Sequence, residues 1–176
     1  GKLDYYQPDG SSLRAGFLRY PTRFSHISSR FSLNRFDPVT QTYHAHPAVD
    51  FAAPLGTPIT ATGDGKVISA NYEKGYGKVV RLKHANKVTT LYAHMRNFAK
   101  NVYAGSTVKK GQVIGYIGMS GYTTGPHVHY ELHFNGRPVN PLTAKLPDQS
   151  FGLAVKDRAR FAATAKKMLA FLNKDN

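Results

Sequence analysis

The sequence predicts a mainly β fold, with antiparallel β-sheets folded on each other and one C-terminal helix. Three observations carry this. From Asp50 to Leu142, β-rich runs alternate at short intervals with glycines and turn dipeptides. Asn135-Gly136 supplies the commonest chemistry for a two-residue hairpin turn. After Pro147 the pattern changes, and Phe161, Ala165, Met168 and Leu172 recur at helical spacing among Lys and Arg.

Residues 1–35 read as short strands and turns, with a strong turn signal at Gln7-Pro8-Asp9-Gly10. A second irregular stretch runs from Asn34 to Thr40 and carries Asp37-Pro38. The predicted strands lie in Lys66–Ala70, Lys78–Lys83, Val88–Ala93, Gln112–Ile117 and His127–Phe134. An amphipathic helix is expected near residues 153–173. Its apolar stripe is narrow, so it reads as an ordinary packing helix rather than a membrane-surface one. The expected organisation is an N-terminal β/turn segment (1–26), a central domain (27–146) and a C-terminal helix packing on it (147–176).

A chain of 176 residues is long enough for one domain with a real core. Its formal charge of +14 draws it towards polyanions, including those of bacterial envelopes. Lys and Arg are scattered, with Lys109-Lys110 and Lys166-Lys167 as the densest clusters. No nucleic-acid-binding motif is present, which argues against a nucleic-acid partner. No run approaches the ~20 apolar residues that span a bilayer. The start at Gly1 lacks a signal-peptide pattern, so an export signal or anchor is expected outside this sequence.

The chain has no cysteine. That excludes disulfides, thiolate zinc sites and a Cys nucleophile, and leaves His, Asp and Glu as the metal-ligating side chains. Three segments concentrate them: His44-Ala45-His46-Pro47-Ala48-Val49-Asp50, Leu91-Tyr92-Ala93-His94-Met95, and Gly125-Pro126-His127-Val128-His129-Tyr130-Glu131. On a strand, residues two apart share a face, so His127, His129 and Glu131 should point together. Four residues separate His46 from Asp50, which puts both on one side in either an extended or a helical backbone. His44 forms an alternative pair with His46, but the H-x-x-x-D spacing favours His46. Tyr92 should share the strand face of His94 and either line a cleft or pack. His133 is expected to be structural, and His26 and His84 sit in turn-like settings. In sites without thiolates, zinc takes imidazole and carboxylate ligands, and a catalytic site keeps three of them.

The order of these pieces resembles the lysostaphin/LytM-type zinc endopeptidases of bacterial cell walls. The likeness covers residues 27–141. It runs through Asp50-Phe51-Ala52-Ala53-Pro54-Leu55-Gly56-Thr57-Pro58, Leu91-Tyr92-Ala93-His94-Met95, Gly118-Met119-Ser120-Gly121 and Gly125-Pro126-His127-Val128-His129. The resemblance implies one Zn2+ held by His46, Asp50 and His129, with His94 and His127 as catalytic histidines. Glu131 is expected to orient a histidine. Ala48 departs from the family's usual Gly within the H-x-G-x-D segment. Tyr5-Tyr6-Gln7-Pro8-Asp9-Gly10 through Pro21 resembles the region before the catalytic domain of Gram-negative murein endopeptidases, which cut the D-alanyl–diaminopimelate crosslink. The implied partner is peptidoglycan and the implied location the periplasm. A monomer is expected, with any activator unidentified. The competing expectation is a LytM-like domain that binds cell wall or a partner without cutting; retention of all five positions weighs against it.

Overall fold

A computed structural model describes residues 16–37, 41–146 and 155–172. Residues Leu18–Leu146 form one compact unit. Its strands are β1 (His26–Ser29), β2 (Ser32–Asp37), β3 (Thr42–His46), β4 (Val49–Ala52), β5 (Pro58–Thr60), β6 (Gly65–Glu73), β7 (Gly77–Lys83), β8 (Val88–Phe98), β9 (Thr107–Val108), β10 (Val113–Ile117), β11 (His127–Phe134) and β12 (Arg137–Val139). Every pairing is antiparallel. The main sheet runs β1-β4-β11-β8-β7-β6-β9, with β12 on β11, and β10 bridging β8 to β5; β2 and β3 pair separately.

The central strands β8 and β11 are buried along most of their length. Between Val88 and Met95 only Thr89 is not buried, and Val128 to Leu132 are all buried. Tyr92 and Tyr130 stack in the core with centroids 5.2 Å apart, and both hydroxyls reach Thr62 Oγ1, at 2.9 and 3.0 Å. That pairing lets two polar tips stay buried, which without partners would cost about 1–3 kcal/mol each. Phe51 of β4 adds an aromatic contact to Phe24, with centroids 4.9 Å apart.

The five predicted runs all form strands, and Asn135-Gly136 closes the β11–β12 hairpin with φ of 50° and 76°, the left-handed pair that this turn requires. Asn34–Asp37 differs from expectation: it is extended within β2, pairing Arg35 with His44 and Phe36 with Tyr43. Both faces of this hairpin are largely exposed, so its sequence carries no apolar alternation to announce a strand. The expected turn at residues 7–10 and residues 38–40 lie outside the described residues.

The second unit comprises Gly1–Phe17 and Pro147–Asn176. Its helix α1 spans Val155–Leu172 and exposes Met168 and Phe171. No helix among the described residues is long and apolar enough to cross a membrane.

Candidate metal centre

The site forms where β4, β11 and β8 lie side by side. In the β4–β11 ladder Asp50 pairs with His129, and in the β11–β8 ladder His129 pairs with Ala93. His46 arrives from the last residue of β3, and Pro47-Ala48 carries the chain from it into β4. Ala48 is fully buried and its φ is not positive, so a Cβ is accepted there without backbone strain. His46, Asp50 and His129 each present one ligand atom, all within 4.8 Å of one another. His46 Nε2 lies 3.2 Å from Asp50 Oδ2, and His129 Nδ1 lies 3.0 Å from Asp50 Oδ1.

Four imidazoles are oriented by their outer nitrogens. His46 Nδ1 donates to the Arg30 carbonyl at 3.0 Å, and His94 Nδ1 to the Ser120 carbonyl at 2.8 Å. His127 Nδ1 meets the Gly125 carbonyl at 2.9 Å. A carbonyl only accepts, so each of these rings carries its hydrogen on Nδ1 and offers Nε2. His129 is turned the other way: Nε2 bonds Glu131 Oε1 at 3.0 Å, which leaves Nδ1 for the centre. Glu131 is itself buried and held by Tyr76 Oη at 2.8 Å and His133 Nε2 at 2.6 Å.

His94 is the exception to regular strand geometry. Its φ is +58°, a sparsely populated region for a residue with a Cβ. Between Lys78↔Met95 and Val80↔Tyr92, β8 has one residue more than β7. This bulge re-aims the side chain. His94 thus faces His127, with ring centroids 4.7 Å apart. The same bulge corrects the expected placement of Tyr92. Strand alternation is broken between the two, and Tyr92 is fully buried in the core rather than lining the cleft. The glycines of the neighbouring turns set the backing. A Cβ on Gly77, whose φ is +67°, would lie 2.3 Å from the Ser120 carbonyl. Only glycine lets this turn approach closely enough for Ser120 to receive His94.

The electrostatics favour a cation at the centre. Burial alone would raise the Asp50 carboxyl, but adjacent His129 and His46 outweigh it and hold it far below its ordinary value. Burial would lower His129, yet the flanking carboxylates of Asp50 and Glu131 push it up to about 9. Glu131, despite burial, is held at about 2 by His129, His133 and Tyr76. Burial lowers His94, which keeps this imidazole neutral near pH 7. Asp50 Oδ1 is buried, with His129 Nδ1 3.0 Å away. A buried carboxylate is costly unless a positive charge, an imidazolium or a metal ion, meets it. Two imidazole nitrogens and one carboxylate oxygen are a donor set that fits zinc.

Of the other histidines, His44 is exposed and 2.6 Å from Thr42 Oγ1. His84 is buried just after the end of β7, and His26 opens β1. Tyr76 and the Arg30 and Ser120 carbonyls are contributors that sequence reasoning missed. Gly75 and Gly77 read as turn punctuation, Tyr76 falls within the stretch that resembles the family without a role of its own, and carbonyl acceptors carry no residue-type signal.

An antiparallel β unit carrying a His-Asp-His cluster with two further histidines beside it defines a class of metallopeptidase-like domain. The chain belongs to peptidase family M23, whose model matches residues 44–141. It is 40% identical over 171 residues to the peptidoglycan DD-endopeptidase ShyC of Vibrio cholerae, covering 97% of this chain and 39% of that protein. A zinc-containing peptidase from Vibrio cholerae superposes with a TM-score of 0.73 and 38% identity, over 82% of this chain and 44% of that one. The catalytic domain of lysostaphin from Staphylococcus simulans superposes with a TM-score of 0.55 and 29% identity, over 69% of this chain and 88% of that one. The chain therefore spans less than half the length of the full-length relative it matches.

Proposed function

We propose that this chain is the catalytic domain of a zinc-dependent endopeptidase that hydrolyses peptide crosslinks of bacterial peptidoglycan, at the D-alanyl–diaminopimelate bond, in the Gram-negative periplasm. The observation that carries the reading is the convergence of His46, Asp50 and His129 in a cavity of about 590 Å3 that also receives His94 and His127. His46, Asp50 and His129 would hold the ion. A zinc ion there supplies Lewis acidity, which activates water and polarises a carbonyl near neutral pH.

The remaining chemistry falls to the chain's own side chains. His94 and His127 each keep a hydrogen on Nδ1, tied to a backbone carbonyl, and present Nε2 to the cavity. A neutral imidazole nitrogen accepts the proton of an attacking water, and returned to the departing amine it completes amide hydrolysis. One of the two takes that role. The other stands beside the carbonyl oxygen, where an imidazole N–H donates as charge grows. Rigid anchoring of both rings supports this reading, because proton transfer needs the donor and acceptor held within hydrogen-bond reach. The strained backbone at His94 fits a position kept for chemistry rather than for packing.

The test is mass spectrometry of products from purified, crosslinked murein incubated with the zinc-loaded chain. Conversion of crosslinked dimers to monomers with a new D-alanine carboxyl terminus is the expected result. Intact dimers after prolonged incubation, with zinc bound, would instead leave a domain that binds without cutting.

A further inference from the structure

Past Asp50 and His127 the cleft continues into a second cavity of about 570 Å3, lined also by Ser25, His26, Ser29 and Arg35. This volume suits one or two amino-acid residues. Arg35 stands on β2, opposite His44. Its Nη1 donates to Ser29 Oγ at 2.9 Å, which fixes the guanidinium to the wall. A guanidinium has five N–H donors, so most of its fork remains for a ligand. Three carboxylates of this unit are committed elsewhere: Glu73 to Arg81, Asp64 to Lys109, and Glu131 to His129 and His133. Asp50 also lines the cavity, but its charge faces His46 and His129. Among the described residues the cavity thus presents an anchored permanent cation, and its lining carboxylate, Asp50, is engaged by the histidines of the centre.

We propose that Arg35 is a specificity-determining residue that binds a free carboxylate of the substrate beside the scissile amide. This rests on the endopeptidase reading for the identity of the substrate. In a D-alanyl–diaminopimelate crosslink, the carbon bearing the acylated amine also bears a free carboxylate. That group lies a few bonds from the reacting carbonyl, and the cavity holding Arg35 adjoins the metal-ligand cluster through Asp50 and His127. Arg suits it better than Lys because a planar fork meets a carboxylate in two parallel hydrogen bonds. A peptide without that carboxylate leaves the guanidinium unpaired against it, which is how the site would discriminate.

The test compares two crosslinked peptides, one with the free carboxylate beside the scissile bond and one with that group amidated. With the zinc-loaded wild-type chain, kcat/KM should favour the carboxylate by about tenfold or more, the size of a lost charge-assisted bond. In Arg35→Gln that ratio should collapse towards one, and Arg35→Lys should keep part of it. A ratio unchanged in Arg35→Gln overturns the assignment. A parallel calorimetric titration uses the amine-side product peptide in both forms and needs no turnover. Selective loss of carboxylate-form binding in Arg35→Gln supports the subsite even if the wild type cuts neither peptide, a result that would sink only the endopeptidase reading. Equal binding by wild type and variant overturns the subsite. Arg35 is exposed, so both variants should fold, as melting temperatures will show.

Discussion

Asp50 and His129 face each other on neighbouring antiparallel strands, paired in register, with Oδ1 and Nδ1 3.0 Å apart. The carboxylate oxygen is buried, and the imidazole's other nitrogen is bonded to Glu131. Two strands thus aim an oxygen and a nitrogen at one point, where a cation relieves both. Asp50→Asn keeps the shape and removes the charge; His129→Ala removes a ligand outright. Both should weaken zinc binding by more than about 100-fold, beyond the 10–100-fold typical of outer partners. Metal analysis after dialysis decides it, and one zinc per chain retained by His129→Ala would sink the ligand assignment.

His94 should behave differently. Its Nδ1 is anchored on Ser120 and it is not in the three-residue cluster. His94→Ala should therefore keep zinc while losing about 10²–10⁴-fold in turnover, the usual worth of a general acid–base group. Zinc lost along with activity would make His94 a ligand and overturn the division of roles.

Glu131 acts on the centre through His129. It is buried, accepts from three partners and fixes which nitrogen of His129 faces Asp50. Glu131→Gln should lower zinc affinity about 10–100-fold in a chelator competition. An affinity unchanged in a folded Glu131→Gln would reduce Glu131 to a structural group.

Much of this arrangement is legible before any coordinates. The period of two places His127, His129 and Glu131 on one strand face, and the bonds from Glu131 to His129 and His133 realise that face. Glycine punctuation marks the ends of β6, β7 and β11 because left-handed turns need it. The bulge at His94 leaves no trace in Tyr92-Ala93-His94-Met95. It arises where β8 leaves β7 and β11 to pair with β10, a tertiary event. The face expected to be shared by Tyr92 and His94 fails for the same reason, and of the two alternatives for Tyr92 packing is the one realised. The β2–β3 hairpin escapes because both its faces meet water and no alternation is imposed on it.

Gly77 and Gly111 separate close approach from backbone strain. Both have positive φ, 67° and 79°. A Cβ at Gly77 would meet Ser120 backbone at 2.3 Å, whereas nothing lies within 4 Å at Gly111. Gly111→Ala should cost about 1 kcal/mol, the left-handed penalty alone. Gly77→Ala should cost several-fold more and weaken turnover, since the displaced segment carries the carbonyl that orients His94. Urea denaturation of both variants measures this, and equal losses would refute the clash.

His84 gives a pH dependence independent of the centre. It is 5% exposed, with Nδ1 on the Asp64 carbonyl at 2.8 Å and Nε2 2.7 Å from Thr90 Oγ1. Burial lowers its pKa below the ordinary 6.5, outweighing the opposing pull of Asp64. The unfolded chain then binds the proton more readily than the folded one. The stabilisation is complete above about pH 6.5 and is lost as pH falls below it towards the depressed folded value. Melting temperature should thus fall between about pH 7.5 and about pH 5, and His84→Gln should flatten part of that slope. Parallel slopes in the two proteins would show that other groups carry the whole dependence.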